Sequence, residues 1–294
     1  MRVAIFGAGA VGSVLGARLA REHEVLLIGR APHMRAVARS GLHVEGTTRG
    51  TFPLDVATRA SAAKGADLVF LTVKSFDTAA AAAQLKAAGI TAPVVTLQNG
   101  LTNVAVLKRG LPRAPIVGGS LILGALSLGP GRVRHTGAGR AVVGAVRGPA
   151  SALQEAGAAL RGARIPTRIA PDLDAVLWQK AIVNASVNPV TAILRCANAA
   201  LLRRPEAMLV ARSAALEATR VARAAQVDAP ADPWPAIVRI LQETAENRTS
   251  MLQDVEAGRP TEIDAITGEI VRVGNRVKVA VPVNSALLRL VLSL

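Results

Sequence analysis

The N-terminal stretch MRVAIFGAGAVGS constrains this chain more than any other part of it. Four apolar residues, Val3 to Phe6, run directly into Gly7, Gly9 and Gly12, after which the pattern becomes helical. A buried strand that ends on G-x-G-x-x-G and turns into a helix is the opening of a dinucleotide-binding βαβ unit. Gly7 permits the tight turn, Gly9 lets the backbone approach a pyrophosphate with no Cβ in the way, and Gly12 lets the helix close onto the strand. The amides at the start of that helix then face an anion. The same segment imitates a secretory leader, with a basic residue followed by an uncharged run, but four glycines make it a poor hydrophobic helix and the strand-like EVLLIGR follows at once.

The pattern continues in kind. Val25 to Ile28, Leu68 to Val73 and Val94 to Leu97 read as further buried parallel strands, separated by Ala-rich helical stretches. GPGRVRHTGAGRAVVGAV alternates and carries Pro-Gly punctuation, which reads as an antiparallel hairpin closing the sheet. Past Pro171 helical periodicity takes over, in 172–188, 199–227 and 234–247. The expected fold is α/β: a Rossmann-type doubly wound sheet over 1–170, then a second, all-helical domain over 171–294, joined through the Pro-containing RIPTRIAP.

Ligands in open parallel sheets bind beyond the carboxyl ends of the strands, so residues there are candidates. The second strand ends in LLIGR, with Arg30 where an enzyme using NAD would present an acid; a guanidinium there suits the 2′-phosphate of NADP. Lys74 follows the next strand in LTVKS, and Asn99 lies in LQNG after the one beyond.

In the helical half, VLWQKAIVNASVNPVTAILRC is fit for burial except for Lys180, Asn184, Asn188 and Thr191. Steps of four turn a helix by about 400°, so Lys180, Asn184 and Asn188 share one side. An unpaired buried ammonium or amide is expensive, and asparagine is a poor choice for a merely soluble face, so the stripe suits a ligand. Pro189 removes a backbone donor just after it, which predicts a bend. A second polar group, Asn247, Ser250 and Glu262, lies in ENRTSMLQDVEAGRPTEIDAITGEI, although Thr261-Glu262-Ile263-Asp264 by itself reads as a capping box.

Composition excludes other classes. The 294 residues carry 35 Lys and Arg against 20 Asp and Glu, a formal charge of +15, but the arginines are scattered and tyrosine is absent, so no nucleic-acid arm or stacking platform is supplied. The surplus favours anionic small molecules. No run reaches the roughly 18 apolar residues of a membrane span. The lone Cys196 rules out an internal disulfide and suits the cytoplasm. His23, His33, His43 and His135 show no metal spacing and read as loop or surface residues, so no metal is expected.

Taken together, GAGAVGS, LLIGR, LTVKS, LQNG, HTGAG, WQKAIVNASVNPVTAI, RTSMLQDVEAGRPTEIDAITG and VPVNSALL resemble the ketopantoate reductases (2-dehydropantoate 2-reductases), essentially from end to end. The resemblance implies NADP held by Gly7, Ala8, Gly9, Ala10, Val11, Gly12, Arg30, Lys74, Asn99 and Ala125. It implies Lys180 as general acid, with Glu262 beside both Lys180 and the cofactor. Asn99, Asn184, Asn188, Asn198, Asn247 and Ser250 would hold a small 2-oxo acid, with catalysis in a cleft between the two domains. The alternatives are a reductase of another branched 2-oxo acid and a non-catalytic protein that senses NADP. A homodimer is an open expectation.

Overall fold

The computed structural model describes residues 1–294, the Ala138 side chain excepted. Packing divides them into two units, Met1–Gln98 with Asn103–Leu173, and Asn99–Thr102 with Asp174–Leu294.

The first unit is α/β. Its elements are β1 (Arg2–Phe6), α1 (Ala10–Leu19), β2 (Glu24–Ile28), α2 (Ala31–Ser40), β3 (Leu42–Gly46), β4 (Gly50–Phe52), β5 (Asp55–Ala57), β6 (Leu68–Leu71), α3 (Thr78–Ala87), β7 (Val94–Thr96), α4 (Asn103–Gly110), β8 (Ile116–Gly129), β9 (Arg132–Arg147), α5 (Ala150–Gly162) and β10 (Thr167–Ile169). The sheet runs β4-β3-β9-β8-β7-β6-β1-β2-β5, with β10 also on β9. From β8 across to β5 every pair is parallel. Strands this short hold because both faces are covered: along β1, Val3 and Ile5 enter one apolar cluster while Ala4 and Phe6 enter the cluster on the other face. Strand order reverses at β1, between β2 and β6, and the glycine turn stands at that switch point.

Three expectations change. The stretch 129–146, expected as a hairpin, is instead the β8–β9 turn and a single strand, β9, whose antiparallel partner is β8, and it does not close the sheet, because β3 pairs in parallel with the first residues of β9 and carries the sheet on to β4. Strand β8, IVGGSLILGALSLG, escapes the sequence reading because glycines at 118, 119 and 124 dilute its β character. Their size is set by tertiary packing, since a Cβ at Gly118 would lie 2.6 Å from a Leu173 methyl. Two histidines read as loop or surface residues are neither: His135 lies buried inside β9 and His33 half-buried on α2, and both are hydrogen-bonded.

The second unit is helical: α6 (Leu173–Ile193), α7 (Asn198–Leu202), α8 (Pro205–Ala224), α9 (Trp234–Glu243), α10 (Ser250–Glu256), α11 (Glu269–Arg276) and α12 (Pro282–Leu292). A π-helical turn, Asp264–Gly268, leads into α11. The stretch expected as one helix over 199–227 is split, because Pro205 cannot continue α7 and instead opens α8 from its first turn. Helix α6, by contrast, continues through Pro189 to Ile193. Its buried side joins a core built largely of alanine and branched aliphatics, including Ile182, Ala185, Ala211, Ala214, Ala218 and Ile270. No helix among the described residues is long and apolar enough to cross a membrane.

Candidate active site

In the first unit the glycine turn is built by its neighbours. Gly7 sits at φ +106°, where an added Cβ would also collide with the Val73 backbone. A Cβ on Gly12 would stand 2.6 Å from the Gly7 carbonyl oxygen and 2.5 Å from the Thr72 hydroxyl, which itself donates to that carbonyl at 2.9 Å. Gly9 is different. It is exposed, its φ of −85° is ordinary, and nothing lies nearer to an added Cβ than the Gly7 carbonyl at 3.9 Å. The protein's own packing therefore accounts for Gly7 and Gly12 but not for Gly9, whose missing side chain leaves open room over the loop. The first helical bond of α1 runs from the Ser13 amide to the Gly9 carbonyl, so the amides of Ala10, Val11 and Gly12 open the helix ahead of it. With no acid in that turn, the cradle suits the pyrophosphate of a dinucleotide.

Around this turn, Arg30 is exposed and stands as the residue that starts α2, directly after β2 and Gly29. Lys74 is half-buried beyond the end of β6 and begins a short 3-10 turn. Gln98 ties the ends of neighbouring strands together, donating to the Val73 carbonyl at 2.7 Å and the Thr78 hydroxyl at 2.9 Å, while the Thr96 hydroxyl donates to its oxygen. Ala125 is half-buried in β8 beside an irregularity in the β8–β9 pairing.

In the second unit three residues far apart in sequence converge. Glu262 is buried ahead of the π-helical turn, and the Asn99 amide donates to its carboxylate at 3.3 Å. Asn99 is held there by the residues after it: the Leu101 amide donates to the Ala265 carbonyl at 3.1 Å, and Gly100, at φ +97°, passes so close that a Cβ would lie 2.9 Å from the same oxygen. Lys180 lies half-buried on α6. Loss of hydration pulls its ammonium down to a pKa of about 8, and the Glu262 carboxylate opposes that by favouring the charged form. A π turn is a rare local departure that proteins use to re-aim side chains, often at functional sites.

Asn184, half-buried, and Asn188, buried, follow Lys180 at successive turns of α6. Thr191, one step further, is buried with its hydroxyl 2.9 Å from that of Thr249. Thr249 caps α10, accepting from the Leu252 amide, and so fixes the start of the helix on which Ser250 is exposed. This hydroxyl pair escapes the sequence reading, because two threonines 58 positions apart carry no local signal. Asn198 and Asn247 are tied to each other's segments. The Asn198 side-chain amide donates to the Thr244 carbonyl and hydroxyl, at 3.1 and 2.9 Å, and its backbone amide donates to the Asn247 carbonyl, which pins the start of α7 to the segment after α9. The Asn198 side-chain oxygen is buried without a hydrogen-bond partner among the described residues.

Comparison with known proteins places both parts of the chain in one family. The family described as ketopantoate reductase PanE/ApbA matches residues 3–148, and its C-terminal counterpart matches residues 172–294. The 2-dehydropantoate 2-reductase of Halobacterium salinarum is 37% identical over 99% of this chain and 98% of its own length. The crystal structure of a PanE/ApbA family ketopantoate reductase from Ralstonia eutropha JMP134 superposes with a TM-score of 0.92 at 36% identity, covering 100% of this chain and 98% of that one. A D-mandelate dehydrogenase, solved with NADH and anilino(oxo)acetate, superposes with a TM-score of 0.91 at 25% identity over the same shares. The chain belongs to the PanE/ApbA ketopantoate reductase family, a family of oxidoreductases.

Proposed function

We propose that this protein reduces ketopantoate (2-dehydropantoate) to pantoate with NADPH, and that Lys180 donates the proton. The observation that carries the reading is the Lys180–Glu262–Asn99 arrangement, in which an ammonium whose pKa is lowered to about 8 by loss of hydration has its charged form favoured by a carboxylate that accepts from Asn99. The turn from Gly7 to Gly12, with Ala8, Ala10 and Val11 between the glycines, would hold the pyrophosphate, Arg30 the 2′-phosphate, and Lys74, Asn99 and Ala125 further parts of the dinucleotide. When bound, the reduced nicotinamide supplies the hydride. As the carbonyl carbon is reduced, negative charge develops on its oxygen, and the Lys180 ammonium stabilises that charge and transfers a proton to make the hydroxyl. The neutral amine then regains a proton from water.

Glu262 orients the ammonium and preserves its charge, and Asn99, by donating to Glu262, keeps the carboxylate aimed. Asn99, Asn184, Asn188, Asn198, Asn247 and Ser250 offer amide and hydroxyl groups to the substrate carboxylate and hydroxyl. The single buried thiol, Cys196, accords with work in the reducing cytoplasm.

A second reading, reduction of another 2-oxo acid, is favoured by one observation: the likeness to a D-mandelate dehydrogenase extends over the full chain. Steady-state assays with NADPH or NADH against ketopantoate, 2-oxoisovalerate and 2-oxoisocaproate separate the two. The main reading predicts the highest kcat/KM for ketopantoate with NADPH. A higher value for either other acid would transfer the activity to that substrate, and no turnover with any of them would leave a binding protein that senses the dinucleotide.

A further inference from the structure

His33 takes no part in the proton transfer, yet it joins three elements of the first unit. Its Nε2 lies 3.0 Å from the hydroxyl of Ser13, which is fully buried in the first turns of α1. Its Nδ1 accepts from the Gly131 amide, in the β8–β9 turn, at 2.9 Å. Because a backbone N–H can only donate, Nδ1 carries no proton, and the ring is the neutral tautomer whose Nε2–H donates to the Ser13 hydroxyl. Burial, and after it the Arg30 charge, hold the ring below the usual histidine range, in keeping with that tautomer. The turn rests directly on α2: Gly131 is at φ +75°, and a Cβ there would sit 2.9 Å from that of Ala36. The Arg30 carbonyl in turn accepts from the His33 and Met34 amides, both at 3.1 Å, so His33 belongs to the very turn that Arg30 begins.

We propose that His33 is a positioning residue for cofactor choice: bonded to Ser13 and Gly131 at once, it fixes the first turn of α2 against the glycine-loop helix and so sets where Arg30 meets the 2′-phosphate. The proposal rests on the reading of Arg30 as the 2′-phosphate partner. The Arg30 side chain is exposed, so its reach is governed by where its backbone is held, and a guanidinium pairs bidentately with a phosphate only within a narrow geometry.

Calorimetric titration of the wild-type protein, His33→Ala, His33→Asn and Ser13→Ala with NADPH and with NADH tests it, because cofactor binding does not depend on which 2-oxo acid is reduced. His33→Ala is expected to weaken NADPH about five-fold while changing NADH less than about two-fold, the size of one lost hydrogen bond to a positioning group. His33→Asn keeps an acceptor for the Gly131 amide and should restore part of the preference. Ser13→Ala breaks the same link from the other side and should lower the preference in the same direction, which keeps the test intact if His33→Ala does not fold. A purely structural role would lower the melting temperature and leave the NADPH:NADH ratio unchanged, and that result overturns the proposal. A wild-type protein with no preference for NADPH overturns the reading of Arg30, and this proposal with it.

Discussion

The glycine turn of the first unit and the Lys180 group of the second are built in opposite ways. At the turn the groups proposed to bind are backbone amides, and side chains matter chiefly by their absence: Gly7 and Gly12 are small because Val73, Thr72 and the loop itself crowd them, and Gly9 is small with no such reason. At Lys180 the groups proposed to act sit at the ends of side chains from positions 99, 180 and 262, brought together from distant parts of the sequence. A backbone site is written in a few consecutive residues. A side-chain site is written in the packing of a whole unit.

The contrast can be broken at several points, beginning with the largest effect. Lys180→Ala removes the proton donor and should lower kcat by about 10³-fold, within the range typical of general acids, measured with saturating NADPH and substrate. Lys180→Arg should lose most of the same activity, because a guanidinium keeps the charge but holds its proton too tightly. At the turn, Gly7→Ala should reduce stability by roughly 3 kcal/mol in denaturant unfolding, since the substitution adds overlap to an unfavourable φ. Gly9→Ala should leave stability within about 0.5 kcal/mol, as for a site free of neighbours. It should nonetheless weaken NADPH by roughly 30-fold, the scale of a methyl forced into a closely packed contact. If both glycines behave alike, the distinction between them fails. Arg30→Ala should cut the NADPH:NADH preference by about ten-fold, as expected for losing a charge-assisted hydrogen bond. The smallest effect belongs to Thr191→Val, which removes the hydroxyl link between α6 and α10 and should raise KM for the 2-oxo acid about five-fold with NADPH binding unchanged, near the value of one buried hydrogen bond.

The same contrast explains what could be read in the chain before its structure. The βαβ opening, the parallel strands and the helical half are legible because each is a local pattern of apolar spacing and glycine. Strand β8 is not, because its glycines are demanded by Leu173 and Val142, residues distant in sequence. Lys180, Asn184 and Asn188 stand out as polar residues out of place on an apolar helix. Glu262 does not, because its neighbours spell a helix start, and only the approach of Asn99 and the π turn after it distinguish it from a cap. His33 and His135 stay hidden for a related reason: a lone histidine without metal spacing reads as loop or surface, yet the partners, Ser13 and Gly131 for His33 and Thr48 for His135, are supplied by other elements.

The central claim is that Lys180 must carry its proton to act. Burial lowers its pKa to about 8, so the ammonium is populated below that pH and is lost as pH rises through it. The pH dependence of kcat/KM for ketopantoate, measured from pH 6 to pH 10 with NADPH saturating, tests this directly. The account predicts a plateau at the acid end and a fall approaching ten-fold per pH unit above about 8. The residual activity of Lys180→Arg should lack that fall. A wild-type kcat/KM that stays level through pH 9.5 would contradict the assignment of Lys180 as the proton donor.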